Sequence, residues 1–402
     1  NFFSDMQSTK TMEWNDVFLK KKSTLTDPLA DELIEKIMVN HGVIAIKDLF
    51  IQLTDNNDII ENKDVIPEVK DYFNQNHELP DWADSVKIKM GQQLFALYGP
   101  EIAFLLNFRS LPLCYSSKSG SKVLFSTGRL REQGHNTSKL QRRLMETSQM
   151  VINVMSPGGF DGKGSGIITI KKVRLMHAAI RFYLKHPDIN RHSWDVEEFG
   201  EPINQEEMAG TLMAFGPLIL RGLHDLGVEL TQKQQDAYTH CWNIVGYYIG
   251  IEPDLYPKNY EEGWNLGLSI LRRNYKESTE GKELAKSLVQ FGKNIFPGYF
   301  FDDMPAFFIK YFTKDVSNDI GIDFAHLIGI NPKPTLKRRV VTKILTFIFD
   351  KVSDFQRNNW VFRKMSKWIN KKLLQGMINH YMKDQKAEFF IPPSLKKNWN
   401  LS

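Results

Sequence analysis

Apolar residues recur along most of this chain at spacings of three and four, the period of helices that bury one face. Turn residues and caps divide the pattern. Asp27-Pro28 pairs a cap with a proline at the first helical position, and Gly42 marks a stop. A helix is predicted over 81–98, interrupted at Gly99-Pro100 before a further apolar stretch to Arg109. Thr137 and Ser138 open a helix over 137–155 that ends at Pro157-Gly158-Gly159, and another over about 166–185 stops before Pro187. Asn204 with Glu207, and Thr231 with Gln234, have capping-box spacing and open helices running to Gly227 and Gly250. Later helices are predicted near 260–273, 281–295, 335–353 and 359–384, with short extended pieces near 43–53 and 122–125. No repeat and no low-complexity linker interrupts the series. The predicted fold class is therefore all-α: a helical extension (1–78), one large helical core (79–330) and a basic helical extension packed on it (331–402).

Composition narrows the class. The chain has 402 residues, of which 42% are hydrophobic and 25% charged, enough to bury a large core and unlike a disordered chain. No apolar run reaches the roughly 18 residues that span a bilayer. Two cysteines, Cys114 and Cys241, rule out a disulfide scaffold and suit a reducing compartment such as the cytoplasm. The chain begins at Asn1, which leaves room for a removed export segment.

The net charge of +5 is unevenly placed. Residues 331–402 hold 16 Lys and Arg against 4 Asp and Glu, a balance of +12 that leaves −7 on the rest. No nucleic-acid motif accompanies this charge, so no nucleic-acid partner is expected. Val340, Val341, Ile344, Leu345, Ile348 and Phe349 recur at helical spacing among Lys337, Arg338, Arg339, Lys343 and Lys351. This segment either packs on the acidic body or rests peripherally on an anionic membrane. Co-sedimentation with anionic liposomes separates the two. A membrane role requires binding at low salt that weakens as salt rises.

The candidate chemistry centres on Val173-Arg174-Leu175-Met176-His177-Ala178-Ala179-Ile180-Arg181. Arg174, His177 and Arg181 share one stripe of a helix that is otherwise apolar. Buried, the arginines need anionic partners. Haem supplies two propionates for them and an iron for a neutral imidazole. Solvated, the stripe simply faces water, and Lys171 and Lys185 at its ends suit that alternative. No Cys-x-x-Cys-His occurs, so a haem here would be b-type.

That nine-residue string resembles the haem-ligand motif of the latex-clearing proteins, the bacterial rubber oxygenases, in the wider family that includes the mycophenolic-acid pathway (MpaB-like) oxygenase. Further pieces follow in family order: Leu79-Pro80-Asp81-Trp82, Ser126-Thr127-Gly128-Arg129-Leu130, Arg142-Arg143-Leu144-Met145-Glu146-Thr147, Ser156-Pro157-Gly158-Gly159, Trp242 to Gly250, and Phe390-Ile391-Pro392-Pro393. The resemblance spans nearly the whole chain from about residue 13. It implies a rubber-oxygenase-type helical domain around one haem b, with dioxygen as co-substrate and a hydrophobic small molecule or polymer as substrate. It makes His177 the proximal iron ligand, gives Arg174 and Arg181 to the cofactor, and sets Arg143 and Thr147 on the distal side. Some members place an iron-binding lysine before that threonine; here Glu146 stands there. Glu146 and Glu132 are the candidates for a distal base.

The implied activity is oxidative cleavage of an apolar, isoprenoid-type carbon–carbon double bond, or a related oxidation. A haem peroxidase or oxidase, a non-catalytic haem sensor or carrier, and a helical interaction protein without haem are the alternatives. A Soret band separates the last from the others, and oxygen uptake with an alkene separates oxygenase from carrier. The remaining candidates have plainer expectations. His240 is expected to be a satisfied core histidine, His224 to complement a helix C-terminus, and Glu132-x-x-His135 to lack the second pair that a di-iron bundle needs. The glycines of 158–166 are expected to form a flexible turn, and the aromatic cluster Phe291–Phe312 to be core.

Overall fold

The computed structural model describes residues 14–55, 65–75, 77–130, 137–162, 164–186, 194–295 and 304–331. Among them the architecture is helical, as predicted, and the one extended pairing is an isolated bridge between Ser117 and Tyr275. In chain order the helices are α1 (Asp16–Lys22), α2 (Pro28–Asp55), α3 (Pro67–Asn74), α4 (Ser85–Leu105), α5 (Leu111–Tyr115), α6 (Lys118–Leu130), α7 (Thr137–Met155), α8 (Ser165–Lys185), α9 (Val196–Phe199), α10 (Gln205–Phe215), α11 (Pro217–Asp225), α12 (Gln232–Ile249), α13 (Tyr260–Asn274), α14 (Thr279–Ile295), α15 (Met304–Phe312), α16 (Lys314–Ile320) and α17 (Phe324–Leu327). A π-helical turn, Leu106–Ser110, joins α4 to α5. No described helix is long and apolar enough to cross a membrane. The basic C-terminal segment, with the helices predicted over 335–353 and 359–384, lies outside the described residues.

Caps explain the starts. The Asp84 carboxylate accepts the Val86 and Lys87 amides ahead of α4. Thr231 and Gln234 close a capping box in both directions at α12. At α10 the Asn204 side chain accepts the Glu207 amide.

Three expectations need correction. Residues 43–53 are helical, because the backbone breaks at Gly42 (φ 79°) and then resumes α2, burying Ile46, Leu49 and Leu53 at helical spacing. Residues 122–125 lie inside α6. Short β-branched runs look alike in either state, which is why they misled. The predicted 204–227 helix splits at Gly216 into α10 and α11. Gly99-Pro100 bends α4 without ending it. Tyr98 (φ −120°, ψ 20°) takes up the break, so Pro100 falls in what is effectively a new first turn, where its missing N–H costs least.

The core is layered around α8. Helix α12 packs along α4 and against α8, α2 and α7 flank α8, and α10, α11 and α13 form a further group that meets α4 and α12. The hairpin between α7 and α8 is tightly built where a flexible turn was expected. A Cβ on Gly166 would lie 2.3 Å from Gly159 O and 2.8 Å from Asn153 O, so the start of α8 touches the carbonyls ending α7. Gly166→Ala is therefore expected to destabilise. Overpacking costs about 1–3 kcal/mol, which outweighs a helix-propensity gain of at most about 1 kcal/mol. The urea midpoint checks this; an unchanged or raised midpoint would show that the hairpin can open freely.

Candidate functional site

The cationic stripe of α8 is covered by other parts of the chain. Lys171 is buried, and its ammonium donates to the Tyr72 carbonyl at 2.6 Å and to the Gln75 carbonyl at the end of α3. In return the Tyr72 hydroxyl donates to Lys171 O at 3.0 Å. Burial, followed by the neighbouring Arg174 charge, pushes the Lys171 amine down to about 8.

One turn on, Arg174 donates through Nε and NH2 to both oxygens of buried Asp27, at 2.6 and 2.7 Å. Buried Arg181 donates through Nε to Asp31 at 2.7 Å and through NH1 to Ile203 O at 3.2 Å. Ile203 has φ 51°, an unfavourable backbone for a β-branched residue, and the turn it forms aims its carbonyl at the guanidinium. Lys185, at the exposed end, pairs with Glu201 at 2.8 Å. The stripe is thus largely buried, and the alternative of a solvated face fails along most of its length.

These contacts give both arginines partners within the chain. The anions that Arg174 and Arg181 meet in this structure are carboxylates of the N-terminal segment, Asp27 and Asp31.

His177 lies between the two arginines and is treated differently. Its side chain is set deep in the fold yet keeps accessible surface, and its Nδ1 is buried without a hydrogen-bond partner. Burial, helped by the Arg181 charge, pushes the imidazole down to about 3, so the ring is neutral at physiological pH.

Helix α7 runs beside it. The Asn153 amide donates to Thr169 Oγ1 at 3.0 Å, tying α7 to α8 near their hairpin. About two turns back along each helix, α7 reaches the Arg143–Thr147 stretch and α8 reaches His177, so the pairing brings them to similar height. Glu146 and Thr147 are half-buried there. The Arg143 side chain, together with Glu132 and His135, lies outside the described residues.

The other histidines behave as expected. His240 Nε2 accepts the Asp84 amide at 2.9 Å, which places its proton on Nδ1 and makes it part of the α4 start. His224 faces Asp225 and Glu229 at the exposed end of α11. Phe104, Phe108, Phe308 and Phe312 interlock with centroids 4.8–5.5 Å apart, as core. Sequence reasoning missed Asp27 and Asp31 as partners of the stripe. The signal available was their spacing of four on one helix start, matched to cations seven apart.

Comparison with known proteins follows this geometry. Residues 93–318 match the family described as ER-bound oxygenase mpaB/B′/Rubber oxygenase, catalytic domain. The rubber oxygenase of Streptomyces sp. (strain K30) is 21% identical over 320 residues, covering 79% of this chain and 73% of that protein. The solved structure of latex clearing protein LCP in the closed state superposes with a TM-score of 0.68 at 18% identity, covering 88% of this chain and 91% of that one, which shows a shared fold.

Proposed function

Since the chain belongs to the mpaB and rubber oxygenase family, we propose that it is a haem b-dependent oxygenase that uses dioxygen on an apolar, polyisoprene-like substrate, with His177 as the protein ligand of the iron. The observation that carries this is the neutral imidazole on α8, whose buried Nδ1 has no hydrogen-bond partner. Haem would need one such nitrogen from the protein at this position. That suits a site where no cluster of three or more His, Cys, Asp or Glu capable of holding a bare ion occurs among the described residues. The substrate class rests on the rubber oxygenase relative.

Bound haem would supply oxygen activation, and the chain supplies the setting. His177 is neutral without losing a proton, so it is ready to ligate across the physiological range. Arg174 and Arg181 act through the fold, holding α8 against the N-terminal segment. Arg143 and Thr147, four residues apart in the α7 sequence, would supply a guanidinium and a hydroxyl toward dioxygen or substrate. Glu146 stands where some family members place an iron-binding lysine, so this position would supply no lysine to compete with dioxygen.

The test is a pyridine haemochrome assay on the purified protein, together with oxygen uptake on a polyisoprene emulsion. A protein that neither carries nor takes up haem sinks the proposal. Carbon monoxide should bind the reduced protein readily; a ferric spectrum of firm nitrogen ligation on both sides would contradict this reading of Glu146. Arg143→Ala should keep near-normal haem and lose about 100-fold in turnover, the typical cost of one positioned donor. Equal turnover in that variant would remove Arg143 from the site.

A further inference from the structure

We infer that Asp27 and Asp31 are positioning residues for the His177 imidazole: they fix α8 in rotation and supply the negative charge that balances its cationic face. The inference rests on the proposed role of His177 as iron ligand.

The two aspartates are four residues apart at the start of α2 and therefore share a face. They meet Arg174 and Arg181, which lie about two turns apart on α8 with His177 between them. Two ion pairs at separate heights act as stops. Rotating α8 or sliding it by a fraction of a turn breaks both, whereas a single pair would serve as a pivot.

The surroundings are built to hold these stops in place. Gln205 Nε2 donates to Thr26 O at 2.7 Å and to Gly250 O at 2.9 Å, fixing the residue before Asp27 to the end of α12. Gly250 has φ 89°, and a Cβ there would lie 2.4 Å from Asp27 Oδ2 and 2.8 Å from Arg174 Nε, so backbone closes directly over the pair. On the other side the strained Ile203 carbonyl receives Arg181. Lys22 of α1 pairs with Asp254 at 2.6 Å and with Glu252, tying the same N-terminal segment down again. The ligand-bearing face is therefore assembled by protein contacts, with no anion from a cofactor required.

Charge gives the inference a readout that packing alone would not move. With both aspartates present, the two guanidinium charges beside His177 are compensated. Replacing an aspartate by asparagine leaves a net positive charge near the iron ligand, which favours the reduced, less positive iron and raises the midpoint potential.

The test compares wild type, Asp27→Asn, Asp31→Asn and Asp31→Glu as full chains. Three measurements are made: amide hydrogen exchange along α8, the iron–imidazole stretch by resonance Raman, and the haem midpoint potential. Asp31, the more exposed aspartate, provides the variant that keeps the fold, which far-UV circular dichroism verifies. Asp31→Asn is expected to exchange faster around His177, to shift or broaden the iron–imidazole stretch and to raise the potential, while Asp31→Glu returns the potential toward wild type. Faster exchange with an unchanged stretch and potential would show the pairs to be merely structural and overturn the inference. Unchanged exchange in both asparagine variants would overturn the clamp itself. A wild-type chain that takes up no haem overturns the proposed function, a failure visible before any variant is compared.

Discussion

Replacing His177 with alanine is expected to strip most of the haem from the purified protein. The expectation follows from the isolation of the imidazole. Its Nδ1 has no partner, and its neutral form is secured by burial, so this ring carries the ligand role in the proposal. Losing even an outer-shell partner of a ligand commonly costs about 10–100-fold in metal affinity, and losing the ligand itself should cost more. The Soret-to-protein absorbance ratio measures this directly. Arg174→Ala and Arg181→Ala should behave differently. Each leaves an aspartate without its cation, so haem retention should weaken through a loosened α8, with the ligand type and spectrum unchanged. A His177→Ala protein with full haem and a wild-type spectrum would refute the ligand assignment, and the proposed function would need another iron ligand.

The contrast between His177 and its flanking arginines also marks how much of the site was legible in the sequence. Helices α7 and α8 were readable almost to the residue, because Thr137, the Pro157-Gly158-Gly159 turn and Pro187 punctuate them strongly. The stripe of Arg174, His177 and Arg181 was readable for the same reason: spacing on one helix is a local property. What covers the stripe was not. Asp27 and Asp31 lie 147 and 150 residues from their arginines, and Asp27 before Pro28 already satisfied a local capping role. Lys171 suggested a solvated end, yet the α3 carbonyls bury it, a partnership that charge patterning cannot reveal. The break at Gly216 and the helical state of 43–53 were hidden likewise, since each is decided by packing against distant elements. Family resemblance pointed to His177 and its flanking arginines together, but gave no hint of the carboxylates of the chain that the arginines meet.

Removing Asp315 is expected to cost the fold a large share of its stability. Arg109 has no accessible surface and sits in the π-helical turn after α4. Its NH1 and NH2 donate to the two Asp315 oxygens at 2.7 and 2.8 Å, its Nε donates to Leu218 O at 2.6 Å, and NH1 also reaches Phe312 O. One guanidinium therefore joins the π-helical turn to α11, α15 and α16. In Asp315→Ala the charge stays buried and loses its bidentate partner, keeping carbonyl dipoles and the weaker attraction of Asp225. Breaking a buried pair in this way costs about 3–5 kcal/mol. Asp225, the other acid near Arg109, has its carboxyl pushed up by burial only to about 6, so it stays largely ionised at neutral pH and offsets part of the loss. The sign of the pH dependence follows from Asp315 itself, whose carboxyl Arg109 holds below the usual aspartate range against the opposing effect of burial. Its contribution is complete above the unfolded-state pKa of about 4 and fades as pH falls through the depressed folded-state value. Wild type and Asp315→Ala should thus differ fully at neutral pH and converge only in strong acid. Urea midpoints at several pH values measure this, and Arg109→Met combined with Asp315→Leu should recover much of the loss, since an apolar pair leaves no charge stranded. A single variant within about 0.5 kcal/mol of wild type at neutral pH would mean that Arg109 finds water or another anion, and that the π-helical turn is not held by this pair.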